Sequence, residues 1–93
     1  MTVPAGPFES EHEARSAAHS VIPPAEGSTI LTSAQNRQLI GDALGEAGVR
    51  TGAYDDQILK WLSGWEDAIC AVVAGLVSRA HAAGMAARED GKR

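Results

Sequence analysis

From Trp65 to Val77 the chain reads WEDAICAVVAGLV, an apolar run whose only charged residues, Glu66 and Asp67, stand near its start. As a helix, this run is apolar around most of its circumference and must be covered on several sides. The cover comes either from the rest of the chain or from another subunit. The reading is therefore an all-α protein, a compact bundle of three to four helices with the long C-terminal helix central. Ala68 to Val77 spans only about half the length that crosses a bilayer, so no membrane insertion is expected. The opening MTVPAGPFESEHEA lacks a basic segment followed by an apolar core, so no signal peptide is read there. The expected location is the cytoplasm.

Ninety-three residues make one domain near the lower end of what buries a workable core. The chain is 44% apolar, but much of that is alanine, and its aromatics are two tryptophans, one tyrosine and one phenylalanine. Alanine buries little area at roughly 25 cal/mol per Å², so a homodimer would help by adding buried surface. Eight basic residues against twelve acidic ones give a net charge of −4, which counts against nucleic acid as a partner. Cys70, the only cysteine, can form no intrachain disulfide and reads as a small buried hydrophobe.

The spacing of apolar residues and caps divides the chain into a flexible tail over 1–9, a helical domain over 10–87 and a charged tail over 88–93. Ser10 and Glu13 predict a capping box for a first helix that carries Ala14, Ala17, Ala18 and Val21 and ends before Pro23-Pro24. Its alanine face suits close packing on a larger helix. After the PPAEGST loop, Thr32 or Ser33 caps a second helix, with Gln35 or Asn36 at the third position and Ile30 or Leu31 as staple. Leu39, Ile40, Ala43, Leu44 and Ala47 form its apolar stripe, and Gly48-Val49 ends it. A third helix begins near Tyr54, led by Asp55 and Asp56. Ser63 and Glu66 read as a further capping box, which breaks the chain before a fourth helix running from about Gly64 to Gly84. The alternative is one long bent helix from Tyr54.

Few residues carry a chemical signal. Ala43, Gly48 and Val49 fit the turn of a helix-turn-helix, whose second helix would start near Tyr54. That helix would point Asp55 and Asp56 at phosphates, with only Arg50 and Lys60 nearby to offset them. His12 and His19 stand two helical turns apart, too far to chelate one ion, and His81 stands alone. All three read as surface residues, and no metal or organic cofactor is expected. Glu66 and Asp67 point about 100° apart on a helix and do not converge as a catalytic pair, so no enzyme is expected. Ala68, Ala71 and Gly75 form a small-residue row that admits close helix approach. Either the first helix lies on that row or a second copy does. Trp61 and Trp65 are core filling or, if exposed, partner anchors.

The stretch GAYDDQILKWLSGWEDAICAVVAGLVSRAHAAG resembles a group of small proteins of actinobacteria and their phages. These commonly read Y-D-x-x-I-L-x-W-L-A-G-W-E-x-A-x-C-A-V-V-A-G-L-I-x-R-A. Tyr54, Asp55, Ile58, Leu59, Trp61, Leu62, Gly64, Trp65, Glu66, Ala68, Cys70 and Arg79 match that pattern, and NRQLIGDALGEAG is similar to the group's preceding helix. The group carries no assigned activity, so no active site transfers. The resemblance implies a setting, that of a small phage accessory protein directed at a host protein.

The sequence thus leads to a non-enzymatic, phage-type accessory protein that binds a host protein and modulates or inhibits it. Tyr54, Asp55, Asp56, Trp61, Trp65 and Arg79 are the candidate contacts, chosen for size or charge around the break. Ala68, Ala71 and Gly75 are the candidate dimer contact. The alternatives are a helix-turn-helix-like DNA-associated regulator and a structural subunit of a larger particle.

Overall fold

The computed structural model describes residues 3–90, with side chains described as far as Ala86. Four helices follow in order: α1 (Glu11–Val21), α2 (Ser33–Glu46), α3 (Ala53–Leu62) and α4 (Asp67–Asp90). No strand occurs among the described residues. The region from Ala53 onward is two helices rather than one, separated by a turn over 63–66. The fourth helix starts at Asp67, not Gly64, and reaches Asp90 through positions expected to be tail. Residues 91–93 of that expected tail lie outside the described residues.

Local chemistry accounts for each boundary. The Ser10 hydroxyl accepts from the Glu13 amide at 3.1 Å, while the Glu13 carboxylate reaches back one residue further than expected, to the Glu9 amide. At α2 the box closes fully: Thr32 Oγ1 accepts from the Gln35 amide at 3.1 Å, and Gln35 Oε1 accepts from the Thr32 amide at 2.9 Å. Leu31, beside that cap, is buried in the core with Leu39, Ala68 and Ala71, whereas Ile30 is exposed, and the position a staple would contact is the polar Asn36. Gly48 ends α2 at φ +74°. The Val49 amide donates to the Leu44 carbonyl at 2.9 Å, a Schellman closure that requires a left-handed residue at Gly48.

The core forms where α1 and α2 both lie on α4. Ala14 and Ala18 of α1 meet Ala68 and Ala71 of α4, with Leu31 and Leu39 completing the cluster. Facing alanines let the helix backbones approach closely, which recovers contact that their small area alone would not supply. Leu39 and Ile40 are fully buried, each contributing about 1.5–3 kcal/mol of burial free energy.

The amino-terminal segment overturns the expected loose tail. Val3, only 3% exposed, packs with Ala43, Ala74 and Val77 between α2 and α4. Gly75 makes this possible: a Cβ there would lie 2.9 Å from the Ala5 carbonyl oxygen and 3.1 Å from the Phe8 ring. Met1 and Thr2 of the expected tail lie outside the described residues.

These contacts also correct the proposed dimer row. Ala68 and Ala71 are buried against α1, and Gly75 lies beneath residues 4–8, so the chain itself occupies the small-residue face. By contrast, α3 buries none of its residues fully. From Asp67 to Ala86 α4 is long and apolar enough to cross a membrane by length and composition, a longer stretch than the ten residues read from sequence.

Candidate partner-binding surface

Beneath the turn joining α3 to α4 lies a buried polar node. Asp67, 4% exposed, receives three donors from three other parts of the chain. The Leu31 amide donates to its Oδ2 at 3.0 Å, Asn36 Nδ2 to its Oδ1 at 3.1 Å, and His19 Nε2 lies 2.7 Å from Oδ2. Asn36 Nδ2 also reaches the Ser63 carbonyl at 3.4 Å. One carboxylate therefore ties α1, the loop before α2, and α2 to the first turn of α4, where negative charge is favoured by the helix dipole. Burial raises the Asp67 carboxyl's pKa, but the bonds from His19, Leu31 and Asn36 outweigh it and hold the group below its ordinary value.

This node replaces the expected Ser63–Glu66 capping box. Ser63 is instead the carboxyl cap of α3, and its hydroxyl donates back to the Leu59 carbonyl at 2.6 Å. Glu66 is exposed. Likewise His19, expected at the surface, is the partly buried partner of Asp67. A histidine–aspartate pair can orient a general base, but a hydrolytic site also needs a nucleophile within its reach. Of the hydroxyl and thiol groups around it, Ser63 is buried and bonded to Leu59. Burial, with the Asp67 charge nearby, pushes the Cys70 thiol up to about 11. The node reads as a clamp that fixes the turn.

What the clamp presents is an exposed aromatic pair. Trp61 and Trp65 flank the turn with ring centroids 5.6 Å apart at 76°, the edge-to-face arrangement aromatic rings prefer. Trp61 is 62% exposed and Trp65 49%. The apolar surface continues along α4 through Ile69, Val72 and Leu76, all exposed, with Leu76 at 54%. Ile69, Val72 and Leu76 are three and four residues apart on α4 and share one of its faces, while Trp65 stands in the turn just before it. On α3, Tyr54 and Ile58 precede Trp61 at steps of four and three residues, and all three are exposed.

The structure separates the sequence-selected contacts. Trp61 and Trp65 come together, and Tyr54 lies up the same face of α3. Asp55 and Asp56 have local roles: Asp55 Oδ2 accepts from the Gly52 amide at 2.9 Å, and Asp56 Oδ1 accepts from Thr51 Oγ1 at 2.7 Å and from Arg37 at 3.4 Å. Arg79 lies about 18 Å along α4 from Asp67, with one guanidinium nitrogen buried and a Gly6 Cβ position 2.5 Å from it. It is not part of the tryptophan surface. Sequence reasoning missed Ile69, Val72 and Leu76, which stand in a helix apolar on its buried side as well. It also missed the Asp67 node, for which no local pattern announces His19 or Asn36 as partners.

No known family model, curated protein or solved structure matches the chain.

Proposed function

We propose that this chain is a non-enzymatic interaction protein that binds another polypeptide through the face running from Trp61 to Leu76. The observation that carries the reading is the exposure of large apolar side chains on both sides of one clamped turn. Five stand exposed there, Trp61 and Trp65 packed edge to face at the turn and Ile69, Val72 and Leu76 along α4. Contiguous exposed apolar surface on a small protein marks an interaction site more often than chance, and tryptophan is enriched among residues that dominate binding. Trp61, Trp65, Ile69, Val72 and Leu76 are the contacts; Tyr54 lies at the edge of the surface. Asp55, Asp56 and Arg79 do not belong to it.

The resemblance to accessory proteins of actinobacteria and their phages supports a host protein as the partner and modulation or inhibition of that protein as the outcome. The test is affinity capture by the tagged chain from an actinobacterial lysate, with and without nuclease. The expected result is one stoichiometric protein that survives nuclease and disappears when Trp61 and Trp65 are both replaced by alanine. Capture that depends on nucleic acid, or is unchanged by the double substitution, would overturn the reading.

A further inference from the structure

A groove of ≈ 400 Å³ opens between the start of α1 and α4. Its floor is apolar, formed by Phe8, Ala14, Ala68, Ile69, Val72 and Val73, and its only charged lining residues are Glu9 and Glu11. Ile69 and Val72 belong also to the exposed face, so the groove is that face's deeper, walled portion. Resting on the interaction reading, we infer that this groove takes an amphipathic helix of the partner whose apolar edge is flanked by lysine or arginine.

Charge complementarity selects this occupant. Both rim carboxylates are exposed. Glu11 is shared only with Arg15, at 3.0 Å across an exposed helical turn, an arrangement weak enough to give way to a second cation. A second copy of this chain fits poorly. From Asp67 to Ser78 the sequence holds no lysine or arginine, so an isologous contact would bring acidic rims together with no cation on α4 to pair them. An anionic lipid surface meets the same repulsion. An apolar helix edge fills the floor with residues at i, i+3, i+4 and i+7, and its basic flanks meet the rim.

The probe is a labelled helical peptide of about 18 residues, about five turns, with leucines on one face and lysines on the other. A second peptide has glutamate in place of each lysine. Fluorescence anisotropy with the full chain should show binding of the leucine/lysine peptide and none of its acidic counterpart. Val72→Glu should weaken binding at least about tenfold by placing a carboxylate against the apolar edge. Glu9→Gln with Glu11→Gln should weaken it about threefold at low salt and less at high salt. Equal binding of both peptides, binding indifferent to Val72→Glu, or failure of the lysine peptide to bind would overturn the assignment. So would a wild-type dimer that Val72→Glu makes monomeric, or adsorption of the chain to phosphatidylserine vesicles. If the leucine/lysine peptide fails while tryptophan-dependent capture holds, the groove assignment alone falls.

Discussion

Replacing Asp67 by alanine removes the acceptor shared by the Leu31 amide, the Asn36 amide and the His19 ring. The His19 side chain is 23% exposed and can turn to water. Leu31 is 4% exposed and its amide loses its partner, while Asn36, 2% exposed, keeps only its 3.4 Å bond to the Ser63 carbonyl. An orphaned buried donor costs about 1–3 kcal/mol, and one orphaned donor with a second left weakly bonded, offset in part by relief of the carboxylate's own desolvation, gives about 1–4 kcal/mol. A chain of this length is stabilised by about 5–14 kcal/mol, so the loss is a large fraction of the total. Urea unfolding followed by far-ultraviolet circular dichroism should show a midpoint lower by about 1–3 M. Glu66→Ala, one residue away but exposed, should change stability by less than about 0.5 kcal/mol. Equal effects of the two substitutions would refute the clamp and restore a capping role for Glu66.

The depressed Asp67 carboxyl has a pH consequence whose sign follows from linkage. Its contribution is complete above the ordinary value of 3.8 and is lost as pH falls through the folded group's lower value. The stability gap between wild type and Asp67→Asn should therefore narrow in that acid range, and parallel pH profiles would contradict it. Gly48→Ala places a side chain at φ +74° and should cost about 1 kcal/mol by urea unfolding. Gly75→Ala should speed hydrogen exchange across residues 3–8, because a Cβ meets the Ala5 and Pro4 carbonyls, while its helix propensity gain of about 1 kcal/mol limits any global loss. Cys70, buried with its thiol pushed up to about 11, should resist alkylation at pH 8 (about three units below that value) until the chain unfolds.

Local grammar made most of the helices legible. Thr32 and Gln35, Gly48 and Val49, and the prolines at 23–24 each act within a few residues of where they stand, so reading them needs no tertiary knowledge. The alanine face of α1 was equally readable as a close-packing surface. What sequence did not disclose was which elements share the cover of α4. Val3 and Ala74 meet across 71 positions of chain without any periodic signal, and the segment between Val3 and Phe8 has neither helical spacing nor a strand pattern. The same limit hid the clamp: Asp67, Asn36 and His19 are ordinary polar residues until folding converges them. At the candidate surface the two tryptophans were identifiable by size. The continuation along Ile69, Val72 and Leu76 was obscured because α4 is apolar on its buried side as well, and periodicity alone did not say which side remains uncovered.

The central claim, that the exposed face is a binding surface, is tested most directly by placing one charge on it and one charge elsewhere. Leu76→Glu puts a carboxylate on the face, while Met85→Glu does the same at an apolar residue 47% exposed, nine residues on and so on the opposite side of α4. With unfolding midpoints matched to wild type, capture of the nuclease-resistant partner should be lost in Leu76→Glu and retained in Met85→Glu. Retention in both variants, or equal loss in both, would contradict the account.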